Sequence, residues 1–371
     1  MPAEKYNNDI PSLTGVRFVL GTMVFLLHYS GSFFFLGNFS VGVFSQFYLG
    51  VNMFFVLSGF VICYKYYEYA VTKRHFLLNY YLKRFSRIYP VFFMLTGITY
   101  LVWAMGNDTN RPLFREWLLN ISFIKGFSDK YFLSGIGPSW SLSVEEVFYF
   151  FSPFIFILIK KKNIFFSQII FWWLIGGLLL AFFSYIPFEG FFENSYFVYF
   201  VTFFGRCFEF YCGIFLAILI MGKSDFIRLK IPSFSFPFFT IAGIFWIIAG
   251  ILLLYYNEYA WGYSLTKKVL LSNIFFPIGV SLFYLGLIKE KSVLQKLFST
   301  KAFQLLGKSS YAFYLLHAGI IASGIEKYIT QNVFLLFVLL QLVSMFIFLL
   351  FEKPVNKWIR NNGTKFLGRH T

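Results

Sequence analysis

Two ionisable side chains interrupt the first apolar run of the chain. Arg17 and His28 stand eleven residues apart in LTGVRFVLGTMVFLLHYS, and at about 100° per residue eleven steps end about 20° from three full turns. If the run is helical, both side chains face the same way, roughly 16 Å apart along the axis. Ionisable groups inside a hydrocarbon-spanning helix are costly, which makes them functional candidates by default. An arginine near one surface suits an anion, and a histidine farther in suits proton transfer or nucleophilic attack. The bland readings are a snorkelling anchor for Arg17 and a neutral, hydrogen-bonded imidazole for His28.

Further polar groups cluster at the ends of other apolar runs. KRFSRIYP places Arg84 and Arg87 three residues apart, on one helical face. Two guanidiniums at that spacing suit a multiply charged phosphate ligand through paired charge-assisted hydrogen bonds, against the alternative of ordinary cationic flanking. PSWSLSVEEVFYF carries the adjacent carboxylates Glu145 and Glu146. Ser143 and Glu146 match a capping box, which accounts for Glu146 and leaves Glu145 over. A carboxylate here can orient a histidine or shift a pKa for proton transfer. Arg206 and Glu209, also three apart, read first as a self-compensating ion pair. His317, behind Tyr311 and Tyr314, is either a packed polar residue or an acceptor-site contact.

The elements that must position these groups follow from composition. Hydrophobic residues make up 58% of the 371 and charged ones 13%, with 57 Phe, so no solvated face is left to surround a water-soluble core. Ten apolar runs are long enough to cross a hydrocarbon core as helices, near 13–36, 46–64, 88–104, 140–159, 164–186, 200–221, 238–256, 268–288, 303–325 and 332–351. The expected fold is therefore all-α: a polytopic membrane protein of about ten transmembrane helices. No internal repeat of a polar motif, low-complexity tract or soluble extra domain breaks the pattern, and residues 1–371 read as one membrane domain. The segment 105–139 includes RPLFREWLLNISFI, whose Trp117, Leu118 and Ile121 predict an interfacial helix.

Ten crossings put both termini on one side, and the cations choose it. That side collects 23 Lys and Arg, including Lys5, the six from Lys65 to Arg87, Lys160 to Lys162, Lys223, Arg228, Lys230 and the run Lys353 to Arg369. The opposite side has 7, among them Arg111, Arg115, Lys125 and Lys130. Both termini are expected to be cytoplasmic. The formal charge of +16 is then a topological signal with affinity for anionic lipid rather than a nucleic-acid footprint. No small-residue cleavage site follows the first span, so it should be retained. Cys63, Cys207 and Cys212 lack metal-ligand spacing and read as small core residues; no metal and no permanently bound cofactor are expected.

Taken together, LTGVRFVLGTMVFLLHYS, GVNMFFVLSGFVI, KRFSRIYP, WSLSVEEVFYF, FGRCFEFYCGIFLA, LGKSSYAFYLLH and FEKP resemble, in order and across residues 13–354, the acyltransferase family 3 of integral membrane acyltransferases. That family modifies surface sugars and related molecules. The resemblance carries the family's first-span histidine onto His28, its first-span arginine onto Arg17, its paired arginines onto Arg84 and Arg87, and its acidic pair onto Glu145 and Glu146. It implies an acyl-CoA donor, usually acetyl-CoA, in a plasma or inner membrane. Two departures stand out: Thr14 occupies a place where the family often has an acid, and Asn52 one where Asp is common.

On this reading CoA phosphates sit on Arg84, Arg87 and Arg17 while the thioester reaches inward to His28. Held by Glu145 or Glu146, His28 would either deprotonate a saccharide hydroxyl or carry the acyl group itself. Trp140, Ser141 and Ser143 are candidates for stabilising the oxyanion. Family chains with an attached extracytoplasmic hydrolase-like domain have a further module that this sequence lacks, so transfer to the acceptor is expected from the membrane domain or a separate partner. The competing class is a transporter or flippase for a lipid-linked saccharide. Against it, no Gly- or Pro-broken spans recur at corresponding places in two halves. A non-catalytic scaffold would not need Arg17, His28, Arg84, Arg87 and the Glu pair together.

Overall fold

Lipid offers no partner to backbone N–H and C=O groups, so a chain this apolar must bond its backbone within each segment, as a helix does. The computed structural model describes residues 9–72, 76–106, 113–162, 164–222, 231–232, 234–260 and 262–368, and every long element in it is helical. Among these residues there is no strand, only an isolated antiparallel bridge between Ser128 and Phe191. The elements are α1 (Pro11–His28), α2 (Leu49–Tyr66), α3 (Phe76–Met105), α4 (Leu113–Ile121), α5 (Trp140–Lys162), α6 (Phe165–Tyr185) and α7 (Phe203–Met221). They continue with α8 (Phe238–Tyr259), α9 (Phe276–Lys289), α10 (Lys301–Leu316), α11 (Ile320–Tyr328), α12 (Val333–Ile347) and α13 (Lys353–Gly368). Of the cations behind the expected orientation, Lys5, Lys73, Arg74, Arg111, Lys223, Arg228, Lys230 and Arg369 lie outside the described residues.

Nine helical stretches among the described residues are long and apolar enough to cross a membrane. Two expected spans differ, and the larger difference is at 303–325. This stretch is two helices, α10 and α11, separated at His317–Gly319, where Gly319 is extended. With 16 residues α10 is about 24 Å long, and it runs parallel to α1: Gly307 lies on the Thr14 carbonyl, the Phe313 ring on Gly21, and the His317 ring near His28. The first span is also shorter than 13–36. It ends at His28, and a tight turn over Ser30–Leu36 leads to Gly37, whose φ of 91° no helix accepts. His28 is therefore an exposed residue at a helix end rather than one deep within a span. The helix expected within 105–139 is α4.

Close helix crossings are made by glycine, as expected where helices associate without a hydrophobic driving force. On α2 and α7, Gly59 faces the Phe210 carbonyl and Gly213 the Val56 carbonyl; a Cβ at either position would overlap that oxygen. Three helices also contain a widened π turn, over Phe197–Val201, Leu270–Phe275 and Phe348–Glu352. Each sits beside a polar group that matters below, as such turns often do.

Segments 122–139 and 186–196 form a cap at one end of the bundle. Lys125, expected as an ordinary loop cation, is instead fully buried there. Its Nζ donates to the carbonyls of Ser134 (2.7 Å) and Ile136 (3.3 Å) and to Ser139 Oγ (2.7 Å), bracing the turn that starts α5. Burial pushes its pKa down to about 7. Glu189 closes the cap, accepting from Arg115 at 2.9 Å and from Lys130 and Tyr131 at 3.1 Å. Those three donors hold its carboxyl at about 2, below the usual 4.5. The resulting stabilisation is present above pH 4.5 and disappears as pH falls toward 2. Hydrogen exchange, corrected for its intrinsic pH dependence, should show 126–134 and 188–194 losing protection over that window. Glu189→Gln should show the loss already at pH 7; unchanged protection in the variant would mean the carboxylate does not hold the cap.

Candidate active site

Three of the expected anion-binding residues converge although two helices carry them. Arg17 comes from α1, and Arg84 and Arg87 from one face of α3, one turn before Pro90, which withholds the N–H that would bond the Ser86 carbonyl. A cavity of about 880 Å³ lies between α1, α2, α3, α10 and α13. A second, of about 80 Å³, continues from it among α1, α2, α3, α5 and α10. The residues lining both are Arg17, Val61, Arg84 and Arg87. The arginines thus form the neck through which the wide cavity passes into the narrow one. Arg84, only 9% exposed, donates to Tyr66 Oη at 3.2 Å and lies over the Tyr66 and Tyr149 rings. The Nε atoms of Arg17 and Arg84 are buried without an acceptor in the protein.

The narrow cavity is where Glu145 appears. It accepts from Ser58 Oγ at 2.7 Å and Tyr149 Oη at 3.0 Å, so its orientation is fixed from α2 and from its own helix. Glu146 is half-buried on the next face and lines neither cavity. The capping box is not formed. The tight turn Gly137–Ser139 already starts the helix, α5 begins at Trp140, and Ser143 lies in its first turn with Oγ buried and unpartnered against Gly126. Ser141 ends the narrow cavity: its Oγ meets Tyr314 Oη at 2.8 Å, and both hydroxyls reach the Pro138 carbonyl.

His28 is not held by Glu145 or Glu146. Its neighbour is His317, with ring centroids 5.1 Å apart, because parallel packing of α1 and α10 brings both helix ends to one level. Tyr29 Oη donates to the His317 carbonyl at 3.2 Å. His317 is fully buried, and neither ring nitrogen has a partner. The Tyr314 ring lies 5.6 Å from it, so Tyr314 faces the histidine pair with its ring and Ser141 with its hydroxyl. No pattern in the sequence joins His28 to His317, which stand far apart in the chain. Tyr149 and Ser58, which set Glu145, likewise carry no separate signal.

Arg206 and Glu209 form the expected pair at 2.8 Å, both at most 1% exposed. Arg206 Nε also donates to the Phe200 carbonyl at 2.6 Å, an acceptor in the π turn Phe197–Val201. Its guanidinium lies over Phe200, Trp140 and Phe55. Asn52 completes the group, donating to Glu209 Oε1 at 2.6 Å and to the Ser272 carbonyl of a second π turn at 2.8 Å. An amide here supplies a donor to Glu209 that an ionised Asp could not. These side chains bind α2, α7 and the approach to α9 together, and Trp140 links them to the start of α5.

Fold and cavities together define a multi-pass membrane protein with its polar chemistry inside the helical bundle. Residues 10–353 match the family model described as an acyltransferase domain; the chain belongs to this acyltransferase family, and the transporter reading falls. The acyltransferase MdmB of Streptomyces mycarofaciens is similar to it, 27% identical over 169 residues. That match spans 40% of each chain, less than half of the relative's length. No solved structure matches.

The buried group makes a stability prediction. Arg206→Met strands the buried Glu209 carboxyl without its cation, with only an amide for company, and should cost about 3–5 kcal/mol. Arg206→Met with Glu209→Leu removes both charges and should recover most of that loss. Denaturant unfolding in detergent, followed by tryptophan emission, reads both; a double variant that loses as much as the single would show that the charge pairing is not what stabilises this site.

Proposed function

We propose that this enzyme takes the acyl group of an acyl-CoA that enters the wide cavity and passes it to a hydroxyl of a surface or lipid-linked saccharide at the far end of the bundle. The cavity mouth would face the cytoplasm, with both termini, and the protein would reside in the plasma or inner membrane. The observation that carries this reading is the arginine neck. Three guanidiniums line the passage between a cavity large enough for a nucleotide-sized anion and a narrow one, and two of them, Arg17 and Arg84, keep a buried Nε without an acceptor. Charge-assisted hydrogen bonds to phosphate would satisfy them. The narrow cavity is about 80 Å³, a volume that favours a short acyl group such as acetyl.

In the transfer, the acceptor hydroxyl loses its proton to a base and its oxygen attacks the thioester carbonyl. The C–S bond breaks and CoA leaves as a thiolate that regains a proton. His28, exposed at the far end beside His317, is the proposed base; the same imidazole could instead take the acyl group from sulfur and pass it to the acceptor. Glu145, fixed on the neck side, would stabilise or relay charge near the thioester. Tyr314 stands between the two ends, so contact between thioester and His28 requires its bond to Ser141 to open.

Three variants test this. Arg84→Ala with Arg87→Ala should weaken acetyl-CoA binding by roughly tenfold or more with the protein still folded. Replacement of both by Lys should rescue it in part, because an ammonium lacks the bidentate geometry. Unchanged calorimetric affinity in the Ala pair would exclude the neck as the donor site. His28→Gln should retain donor binding and lose activity by about 10² to 10⁴-fold. Near-normal acylation of the glycan at matched protein level would remove His28 from the chemistry.

A further inference from the structure

The wide cavity does not end at its mouth. A groove of about 560 Å³ continues from it along α13, sharing Lys83, Lys308 and Arg360 with the cavity and adding Lys353 and Lys357. Lys353, Lys357 and Arg360 stand at i, i+4 and i+7, which is one face of a helix. Opposite them, Asn79, Lys83 and Arg87 repeat every four residues along α3, a stripe about 12 Å long that leads from the groove to the neck. Lys308 closes the third side from α10. Across cavity and groove, nine Lys and Arg side chains face two carboxylates, Asp9 and Glu352, and Asp9 is already paired with Lys65 at 2.5 Å.

Flanking cations that only mark the side of a membrane have no reason to converge from three helices on one concavity. The neck arginines use one anionic group; the groove has a second cationic set beyond it. Amides of Asn79 and Asn356 are interleaved with the cations, the donor and acceptor pattern that suits a nucleobase or ribose edge.

We infer that the groove between α3, α10 and α13 is a second phosphate subsite, in which Lys357 and Arg360, with Lys83 and Lys308, hold a phosphate on the ribose of the nucleotide end of the donor. This rests on the reading of the donor as a CoA thioester. It means that the enzyme selects a thioester by its remote nucleotide, and an acyl-pantetheine without it is a poor donor. Binding energy realised this far from the reacting carbonyl is available to position the thioester in the neck.

The test compares acetyl-CoA with acetyl-3′-dephospho-CoA on the full chain in nanodiscs, by calorimetry. The wild type should bind acetyl-CoA roughly ten- to a hundredfold more tightly, the worth of charged contacts to one phosphate. Lys357→Ala with Arg360→Ala should lose that preference, and Lys357→Arg should keep it. If the wild type binds both equally well, the subsite is wrong while the donor assignment stands; if it binds neither, the donor assignment fails and the subsite with it. A lipid headgroup offers the same phosphate chemistry, so each measurement is repeated in neutral and in phosphatidylglycerol-containing nanodiscs. A double variant that keeps its donor preference and differs only in its response to phosphatidylglycerol would assign the groove to lipid and overturn the inference.

Discussion

A guanidinium inside a helical bundle has no water to turn to, so each of its donors must find an acceptor in the protein or wait for one in a ligand. That constraint separates the arginines of this protein. Arg206 is satisfied from every side, by the Glu209 carboxylate, the Phe200 carbonyl and aromatic faces. Arg17 and Arg84 keep a buried Nε without an acceptor and look into a cavity. The first arrangement ties helices together; the second leaves guanidinium donors facing open space. The two stand on different helices, α7 holding one group and α1 with α3 the other.

The π turns show how the backbone serves the same constraint. In a regular helix each inner carbonyl already accepts from an N–H of its own ladder. The widened turns at Phe197–Val201 and Leu270–Phe275 supply the Phe200 and Ser272 carbonyls to Arg206 and Asn52. Lys125 solves a similar problem in the cap by ending the chain's own turns on its ammonium. Glycine contacts between α2 and α7 bring the backbones close enough for such short side-chain bridges to reach.

What was legible in the sequence was what helical periodicity alone decides. Arg84 and Arg87 share a face because three residues separate them, and Arg17 falls at their level because α1 is a regular helix over its whole length. The ion pair Arg206 with Glu209 was legible for the same reason. What was not legible depended on where helices stop and which ones touch. Hydropathy continues past His28 through SGSFFFL, yet the backbone leaves the regular helix at Tyr29 and tightens into the turn Ser30–Leu36, so His28 is terminal. The match of Ser143 and Glu146 to a capping box was sound as local chemistry, but the turn Gly137–Ser139 starts α5 earlier. Partners of Glu145 and His28 come from α2 and α10, and no local pattern names a neighbour across the bundle. Lys125 counted as a loop cation because nothing near it in the chain announces three acceptors.

The bond between Tyr314 and Ser141 has a meaning for the membrane as well as for the substrate. An arginine-lined passage open at both ends would conduct small anions, and moving each elementary charge across 100 mV dissipates about 2.3 kcal/mol. A protein that reaches from one side of a bilayer to the other therefore needs an insulating stop that yields to its substrate and to nothing smaller. Two neutral hydroxyls on the Pro138 carbonyl close this end of the narrow cavity without a charge of their own. A closure built this way offers a small ion nothing to exchange its hydration shell for.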